Sequence, residues 1–168
     1  MQNSTPDFIV RPLVRSDRDR VRAFVIQRWG AEIVVAHRVI YRPHELPGFV
    51  ACEGDVIVGL LTLHVVGNSC EVVSFDSLQP GKGIGTALLN AVIAYARQAN
   101  CTRLWLITTN DNLNALRFYQ KRGMVLVTIH RNALTRSRQL KPQIPLIGND
   151  GIPLRDEIEL EMTLEPET

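Results

Sequence analysis

The sequence changes its hydrophobic period at one glycine-rich segment, and this change limits the possible fold more than any other feature. Ahead of that segment, apolar runs of strand length are separated by glycine-containing turns, at residues 49–53, 56–66 and 70–76. This pattern predicts an antiparallel meander. Beyond it, residues 84–100 repeat apolar side chains at helical spacing, which predicts an amphipathic helix.

The remaining elements follow from the same patterns. Residues 8–15 predict an edge strand that tolerates Pro12, and residues 17–40 predict one or two helices. Beyond the central helix the sequence predicts a strand, a helix, a strand and a last strand with one wet face, at 103–108, 112–122, 124–130 and 157–164. Residues 131–155 form a long connection, and such loops in compact domains are functional or disordered.

These elements predict an α/β fold with a mixed, mostly antiparallel central sheet of about seven strands, flanked by about four helices. A chain of 168 residues suits one domain over residues 1–168, with its core at about 8–164. The N-terminus lacks a basic and then apolar signal, and no apolar stretch reaches the ~20 residues that a membrane helix needs. We therefore predict a cytoplasmic protein.

Composition and charge exclude several classes of function. Three cysteines without a CxxC pair and four histidines without HxxxH or HExxH spacing predict no metal site. A net charge of +2 argues against a dedicated nucleic-acid binder. Residues 112–149 nevertheless hold seven basic and no acidic side chains, whereas residues 156–167 hold six acidic ones. The two segments either pair as solvated faces or direct a positive field at an anionic ligand.

The glycine-rich segment reads Gln79-Pro80-Gly81-Lys82-Gly83-Ile84-Gly85-Thr86. Its glycines allow a tight turn and the close approach of a ligand, and the free N–H groups at a helix start favour an anion such as phosphate. Neither the GxxxxGK[ST] spacing of a P-loop nor the GxGxxG spacing of a dinucleotide site fits. The alternative is a strand-to-helix turn that binds nothing.

A second segment, NLNALRFYQKRGM from Asn112 to Met124, completes a resemblance. Together and in this order, the two segments resemble the GNAT superfamily of acyl-CoA-dependent N-acyltransferases. The first is similar to the family's pyrophosphate loop, (Q/R)xxGx(G/A), and the second to its NxxAxxFYxKxGF segment. The resemblance covers about residues 8 to 164, and it implies acetyl-CoA as co-substrate.

The resemblance implies roles for particular residues. The strand before the loop splays from its neighbour in this family, so the backbone of Val73, Ser74 and Phe75 would pair with the pantetheine arm and stabilise the oxyanion. Asn112 matches an asparagine that contacts the cofactor, and Tyr119 matches the tyrosine that protonates the leaving thiolate. The loop would hold the CoA pyrophosphate through its backbone, at Gly81, Lys82, Gly83, Ile84, Gly85 and Thr86.

One position departs from the family pattern, and the general base is open. The Gln or Arg of the loop falls on Pro80, with Gln79 one place earlier, and proline has no N–H for a phosphate contact. Glu71, on the strand before the loop, is the first candidate for the base. Its plainer interpretation, which we favour, is an exposed strand carboxylate. Asp76 and His64 are lesser candidates.

The basic segment gains two interpretations from the resemblance. Three of its side chains could meet the CoA phosphates: Arg117, Lys121 and Arg122. Four lie toward the long connection, where they could bind an acceptor with a carboxylate or phosphate: Arg131, Arg136, Arg138 and Lys141. The alternative for these four is a solvated loop that pairs with the acidic C-terminal strand.

The sequence therefore predicts an N-acetyltransferase that moves an acetyl group from acetyl-CoA to a primary amine by direct attack in a ternary complex. Tyr119 is the expected acid, and Glu71 or an ordered water the base. Cys70 is set aside as a nucleophile because no spacing places an activating group beside it.

The expected acceptor is a small-molecule or peptide amine, with no nucleic acid, membrane or metal involved, and the resemblance allows a homodimer. The first alternative is a non-catalytic acyl-CoA sensor. The second is an interaction module whose loop binds nothing, and a nucleotide-binding enzyme is a distant third.

Overall fold

The computed structural model describes residues 7–165. The strands in this part are β1 (Ile9–Pro12), β2 (Val34–Ala36), β3 (Val39–Tyr41), β4 (Gly48–Glu53), β5 (Val56–Val66), β6 (Ser69–Ser77), β7 (Arg103–Thr109), β8 (Val125–His130) and β9 (Glu157–Thr163). Its α-helices are α1 (Arg18–Trp29), α2 (Ile84–Gln98), α3 (Leu113–Lys121) and α4 (Ala133–Leu140). None of the helices found in residues 7–165 has the length and apolar character to cross a membrane.

Seven of these strands form one sheet, in the order β1-β4-β5-β6-β7-β9-β8, while β2 and β3 form a separate hairpin. Neighbouring strands of the large sheet are antiparallel, except for β6 and β7. β9 inserts between β7 and β8, so the two strands that α3 connects do not pair with each other. This mixed, mostly antiparallel sheet with four helices confirms the predicted fold class.

Side chains alternate across the sheet and create two faces. Leu61, Leu63 and Val72 lie on one face, where they form the larger core with α2 and α3. Leu60 lies on the opposite face and packs against Val25 of α1. The β2–β3 hairpin and α4 lie on the same side as α1. We call the two sides the α2–α3 face and the α1–α4 face.

The prediction of helix through residues 17–40 is wrong beyond Trp29. α1 ends at Gly30, whose φ is +75°. Beyond it β2 and β3 pair through a turn at His37 and Arg38, whose φ values are +38° and +70°. Two consecutive positive φ values are typical of a type I′ hairpin turn, and β-branched residues on both sides favour strands. The hairpin is stabilised by its contacts with the sheet, which local patterns do not show.

The connection over residues 131–155 is more structured than predicted. It contains α4, a short 3-10 turn at Asn149–Gly151 and a bridge between Ile147 and Pro153. The guanidinium of Arg138 joins its parts by donating to three carbonyl oxygens, those of Ile144, Pro145 and Leu154, at 3.1, 2.6 and 2.6 Å. Sequence patterns did not predict this structure because it depends on contacts between distant parts of the connection.

The prediction of one wet face on the last strand is also wrong. Glu157 is only 2% exposed. Glu159 and Glu161 accept hydrogen bonds from Arg103 on β7, and His130 on β8 lies 2.9 Å from Glu159. Glu157 is buried, and Glu159 and Glu161 are partly covered and paired, because β9 lies between β7 and β8 and not at the edge of the sheet.

Candidate functional site

The glycine-rich segment lies between β6 and α2, on the α2–α3 side. Gly81 and Gly83 have φ values of +81° and +80°, a conformation that residues with a Cβ rarely adopt. Gly83 is the N-cap of α2, so the N–H groups of the first helical turn are free of intrahelical partners. A Cβ on Gly85 would lie 3.2 Å from the ring of Phe118, so glycine there allows α3 to approach α2 closely.

Two cations lie near this end of α2. Arg122 donates to the hydroxyl of Thr86 through Nε and Nη2, at 3.1 and 2.8 Å, and its guanidinium stacks 3.6 Å above the ring of Phe118. Lys82 is half-exposed and lies 3.9 Å from Glu53. Both charges add to the positive end of the helix dipole, so the loop is suited to an anion.

β6 separates from β7 directly ahead of this loop. Their parallel pairing runs from Ser69 with Arg103 to Val72 with Leu106, and no later pair of the two strands occurs in the described chain. Val73 is an extra residue on β6, because Val72 and Ser74 pair with consecutive residues of β5. Such a bulge twists a strand away from its neighbour. The edge of β6 that faces β7 is thus unpaired from Val73 onward.

Tyr119 on α3 lies beside this gap. Its side chain is buried, and its ring centroid is 6.0 Å from Phe75 on β6 and 5.4 Å from Phe118. Burial, with a further contribution from the Asp76 carboxylate, raises the pKa of Tyr119 above its usual value. The phenol therefore carries its proton at neutral pH. Within residues 7–165 its hydroxyl makes no hydrogen bond.

Asn112 has a structural contact of its own. It is the N-cap of α3, and its Oδ1 accepts a hydrogen bond from the N–H of Ala115 at 3.2 Å. The cap fixes the start of the helix that carries Tyr119. Among residues 7–165, the side-chain NH₂ of Asn112 has no hydrogen-bond partner.

Glu71 lies on the α1–α4 face, and it is not the exposed carboxylate that the plainer interpretation expected. It is 4% exposed because the β2–β3 hairpin covers it. Its Oε1 lies 2.7 Å from Nε2 of His37, and its Oε2 accepts from the hydroxyl of Tyr41 at 2.8 Å. The bond to Glu71 raises the pKa of His37 above its usual value.

The lesser base candidates lie on the same face. His64 is directly opposite Glu71 in the β5–β6 register, and its ring centroid is 5.7 Å from that of Tyr41. Asp76 accepts from Nε1 of Trp29 at 2.8 Å, and burial raises the pKa of its carboxyl. Neither is placed as closely to a second titratable group as Glu71 is to His37.

His37 also forms one wall of a pocket of about 160 Å³ on this face. The pocket is lined by His37, Arg38, His130, Ala133, Arg136, Ser137 and Glu157. The buried Glu157 carboxylate accepts from the backbone N–H of His37 at 3.1 Å and from the hydroxyl of Ser137 at 3.4 Å. The ring of His37 packs against Trp105 on β7, with centroids 5.2 Å apart. Since Trp105 pairs with Glu71 one position before the strands separate, the pocket lies beside the gap.

The four basic residues that were expected to face an acceptor divide into two groups. Arg131 and Arg136 are exposed, and Arg136 lines the pocket. Arg138 instead joins parts of its own connection, and the buried Lys141 donates to the carbonyl oxygens of Trp29 and Ile33 at 3.0 and 3.1 Å. For Arg138 and Lys141 the prediction is wrong, because their donors are used by the fold.

Sequence reasoning missed three residues of this face, and it was correct about the cysteines. His37, Tyr41 and Glu157 were not singled out, since no spacing connects them with Glu71. All three cysteines are free and buried, in line with setting Cys70 aside as a nucleophile. Burial raises the pKa of the Cys70 thiol to about 12, so this thiol is a poor nucleophile.

Comparison with known proteins agrees with this geometry. The profile of the Acetyltransferase (GNAT) family matches residues 14–124. The uncharacterized protein YdhI of Bacillus subtilis (strain 168) is 46% identical over 136 residues, which are 80% of this chain and 85% of that protein.

Two solved structures are similar in fold. The IAA acetyltransferase from Bacillus cereus ATCC 14579 has a TM-score of 0.73 at 22% identity and covers 94% of this chain and 99% of its own. A GNAT family acetyltransferase from Elizabethkingia anophelis with acetyl-CoA bound has a TM-score of 0.65 at 21% identity, covering 95% and 100%.

Proposed function

The chain belongs to the Acetyltransferase (GNAT) family, and on this basis we propose that it transfers an acetyl group from acetyl-CoA to a primary amine by direct attack in a ternary complex. The observation that carries this proposal is the gap between β6 and β7, which opens directly beside the glycine loop. An extended acyl carrier can lie along the free edge of β6 while its phosphates meet the loop.

The residues present fit acetyl-CoA. Gly81 and Gly83 have the positive φ values that a phosphate cradle needs, and Arg122 adds a charge at the start of α2. The backbone of Val73 and Phe75 offers unpaired groups to the pantetheine amides, and an N–H of this edge would stabilise the oxyanion. When bound, acetyl-CoA supplies a thioester carbonyl for attack.

Tyr119 is the proposed general acid. Its phenol is protonated, buried and beside the gap, so it can donate to a leaving thiolate without competing protein partners. Asn112 contributes by fixing the start of α3 and keeps an NH₂ group for the cofactor.

Glu71 is proposed to support the general base, and its contacts indicate that it acts through His37. Both carboxylate oxygens are engaged, by His37 and Tyr41. We infer that Nε2–H of His37 donates to Glu71, which leaves Nδ1 to accept the proton of the amine. Glu71 then orients the ring and stabilises the imidazolium, as a carboxylate does for a catalytic histidine elsewhere.

The homodimer stays a prediction. β8 is an edge strand of the sheet, and several of its apolar side chains are exposed, at Val125, Leu126, Val127 and Ile129. An apolar edge strand of this kind can pair with a second copy of the chain.

Calorimetric titration with acetyl-CoA, followed by assay of thiol release with a panel of amines, tests the proposal. We expect micromolar binding, and we expect Tyr119→Phe to lower kcat roughly tenfold to a hundredfold with little change in affinity, because only the proton donor is lost. Binding without turnover of any amine would instead favour the sensor. Absence of binding would refute both.

A further inference from the structure

Glu157 is a buried carboxylate that neither the acid nor the base of the proposed reaction uses. It is 2% exposed, and its two partners, the N–H of His37 and the hydroxyl of Ser137, are neutral donors. No Arg or Lys side chain within residues 7–165 forms an ion pair with it. Burying a carboxylate without a cationic partner is costly, and a carboxylate can accept about four hydrogen bonds. The site therefore has both the charge and the spare acceptors to bind a cation.

The same pocket also carries positive charge. Arg38 at the hairpin turn and Arg136 on α4 line it, and both side chains are exposed. Neither forms a hydrogen bond or ion pair with another side chain of the described residues. His130, which also lines the pocket, is already paired with Glu159. The pocket thus combines one buried carboxylate with two exposed guanidinium groups.

We propose that this pocket binds a small amino acid, with its ammonium group at Glu157 and its carboxylate at Arg38 and Arg136. This inference rests on the proposed function, because it assigns the acceptor class of the same reaction. A pocket of about 160 Å³ is small, since sites for drug-sized ligands span roughly 300–1,000 Å³. An acceptor with an ammonium and a carboxylate a few bonds apart matches its size and its charges.

The same arrangement suits the chemistry. The ammonium that Glu157 attracts lies next to His37, the group proposed to take its proton. The neutral amine then forms a bond to the thioester carbonyl carbon, the carbon–sulfur bond breaks, and the sulfur leaves with its electron pair and a proton from Tyr119. The nitrogen, which is positively charged after the attack, loses its second proton to water, and the Tyr119 phenolate regains a proton from solvent. Arg38 and Arg136 hold the far end of the acceptor and take no part in the proton transfer.

Matched amines test the inference. Glycine is compared with ethanolamine, and β-alanine with 3-aminopropan-1-ol, because each pair has similar amines and differs in the carboxylate. Release of CoA thiol from acetyl-CoA gives kcat and KM. We expect the KM of each amino acid to be roughly tenfold lower than that of its matched amino alcohol, because the carboxylate adds one charge-assisted hydrogen bond.

Two variants separate the proposed carboxylate and ammonium contacts, and a third is a control. Arg136→Gln should raise KM for the amino acids about tenfold and leave KM for the amino alcohols unchanged. Glu157→Gln should raise KM for all four amines, because the ammonium is common to them. Arg18 is an exposed arginine of α1 outside the pocket, so Arg18→Gln should leave KM unchanged for both the amino acids and the amino alcohols. Thermal unfolding checks that each variant folds.

Calorimetric titration of β-alanine into the CoA-saturated protein gives a second measurement that does not depend on turnover. Binding that Arg136→Gln weakens supports the inference even if no amine is acetylated, in which case the proposed reaction fails and the binding site stands. Acetylation without preference for the amino acids, or a preference that the double variant Arg38→Gln and Arg136→Gln retains, overturns the inference and leaves the acetyltransferase intact.

Discussion

The α2–α3 face and the α1–α4 face of one sheet are built in different ways. The groups proposed to contact acetyl-CoA come from two short segments, residues 73–86 and 112–122. The lining of the proposed acceptor pocket comes from the β2–β3 turn, β8, α4 and β9, and one hydrogen bond within it joins His37 to Glu157, 120 residues away. The comparison teaches that the proposed cofactor site is formed by residues close together in the sequence, whereas the proposed acceptor site forms only when distant segments fold together.

The two faces also differ in their chemistry. The α2–α3 face offers backbone N–H groups, an arginine and a phenol whose pKa is raised by burial. The α1–α4 face holds His37 between two carboxylates. Variants that affect one face and not the other therefore separate binding of acetyl-CoA from the pH dependence of transfer.

The largest expected effect is on the α2–α3 face. Gly83→Glu should weaken acetyl-CoA roughly a thousandfold, because a side chain strains a backbone at φ of +80° and its charge repels the pyrophosphate. Calorimetry measures the affinity. Gly30→Glu is the matched control, since Gly30 has φ of +75° and open space around it but lies far along the chain from the loop. Equal losses in both variants would show that the loop does not bind the cofactor.

The next effect is on the α1–α4 face. Glu71→Gln should lower kcat about tenfold to a hundredfold and move the acid limb of the kcat profile to lower pH. The sign follows from the required neutral form of His37: wild-type activity rises with pH through a pKa that Glu71 raises, and loss of the carboxylate lowers that pKa. Glu157 and Tyr41 also face His37, and both remain in the variant.

Tyr41→Phe is the control for this change. It removes the other hydrogen bond to Glu71 but keeps the carboxylate charge, so the acid limb should stay close to its wild-type position. An unchanged profile in Glu71→Gln would contradict the assignment of His37 as the titrating group. The affinity for acetyl-CoA should be the same in both variants, since the proposed cofactor site lies on the other face.

The smallest expected effect returns to the α2–α3 face. Arg122→Gln should raise KM for acetyl-CoA about twofold to fivefold, because a partly exposed charge contributes little to binding. Steady-state assays at a saturating amine concentration measure it, with Arg18→Gln as the control. A change in KM for the amine instead would place Arg122 on the acceptor side.

Much of the fold was predictable because hydrophobic period and glycine placement are local. The strands of the meander, α2, and the loop with Gly81 and Gly83 all follow from spacing that the sequence shows directly. The β2–β3 hairpin was missed although Gly30 ends the helix before it, since each of its strands is only three residues long. Its strands are stabilised by packing over Glu71, 30 residues or more along the chain.

The candidate site divides in the same way. Tyr119 and Asn112 were identified because one short segment that contains both resembles a motif of the family. Glu71 was identified by its place before the loop, but its burial and its partners were not, and His37 and Glu157 were missed. The roles of His37 and Glu157 depend on which strands become neighbours, and the local sequence around neither residue indicates that pairing.

The sequence by itself determined the family, and it located the loop proposed for the cofactor and the phenol proposed as proton donor, because each lies within one turn or helix. Only the tertiary structure showed the pocket proposed for the acceptor. β9 inserts between β7 and β8 and the hairpin folds over β6, so Glu157, His37 and Glu71 meet in one covered place. The physical reason is that backbone conformation is local, whereas burial and charge pairing are set by which distant segments pack together.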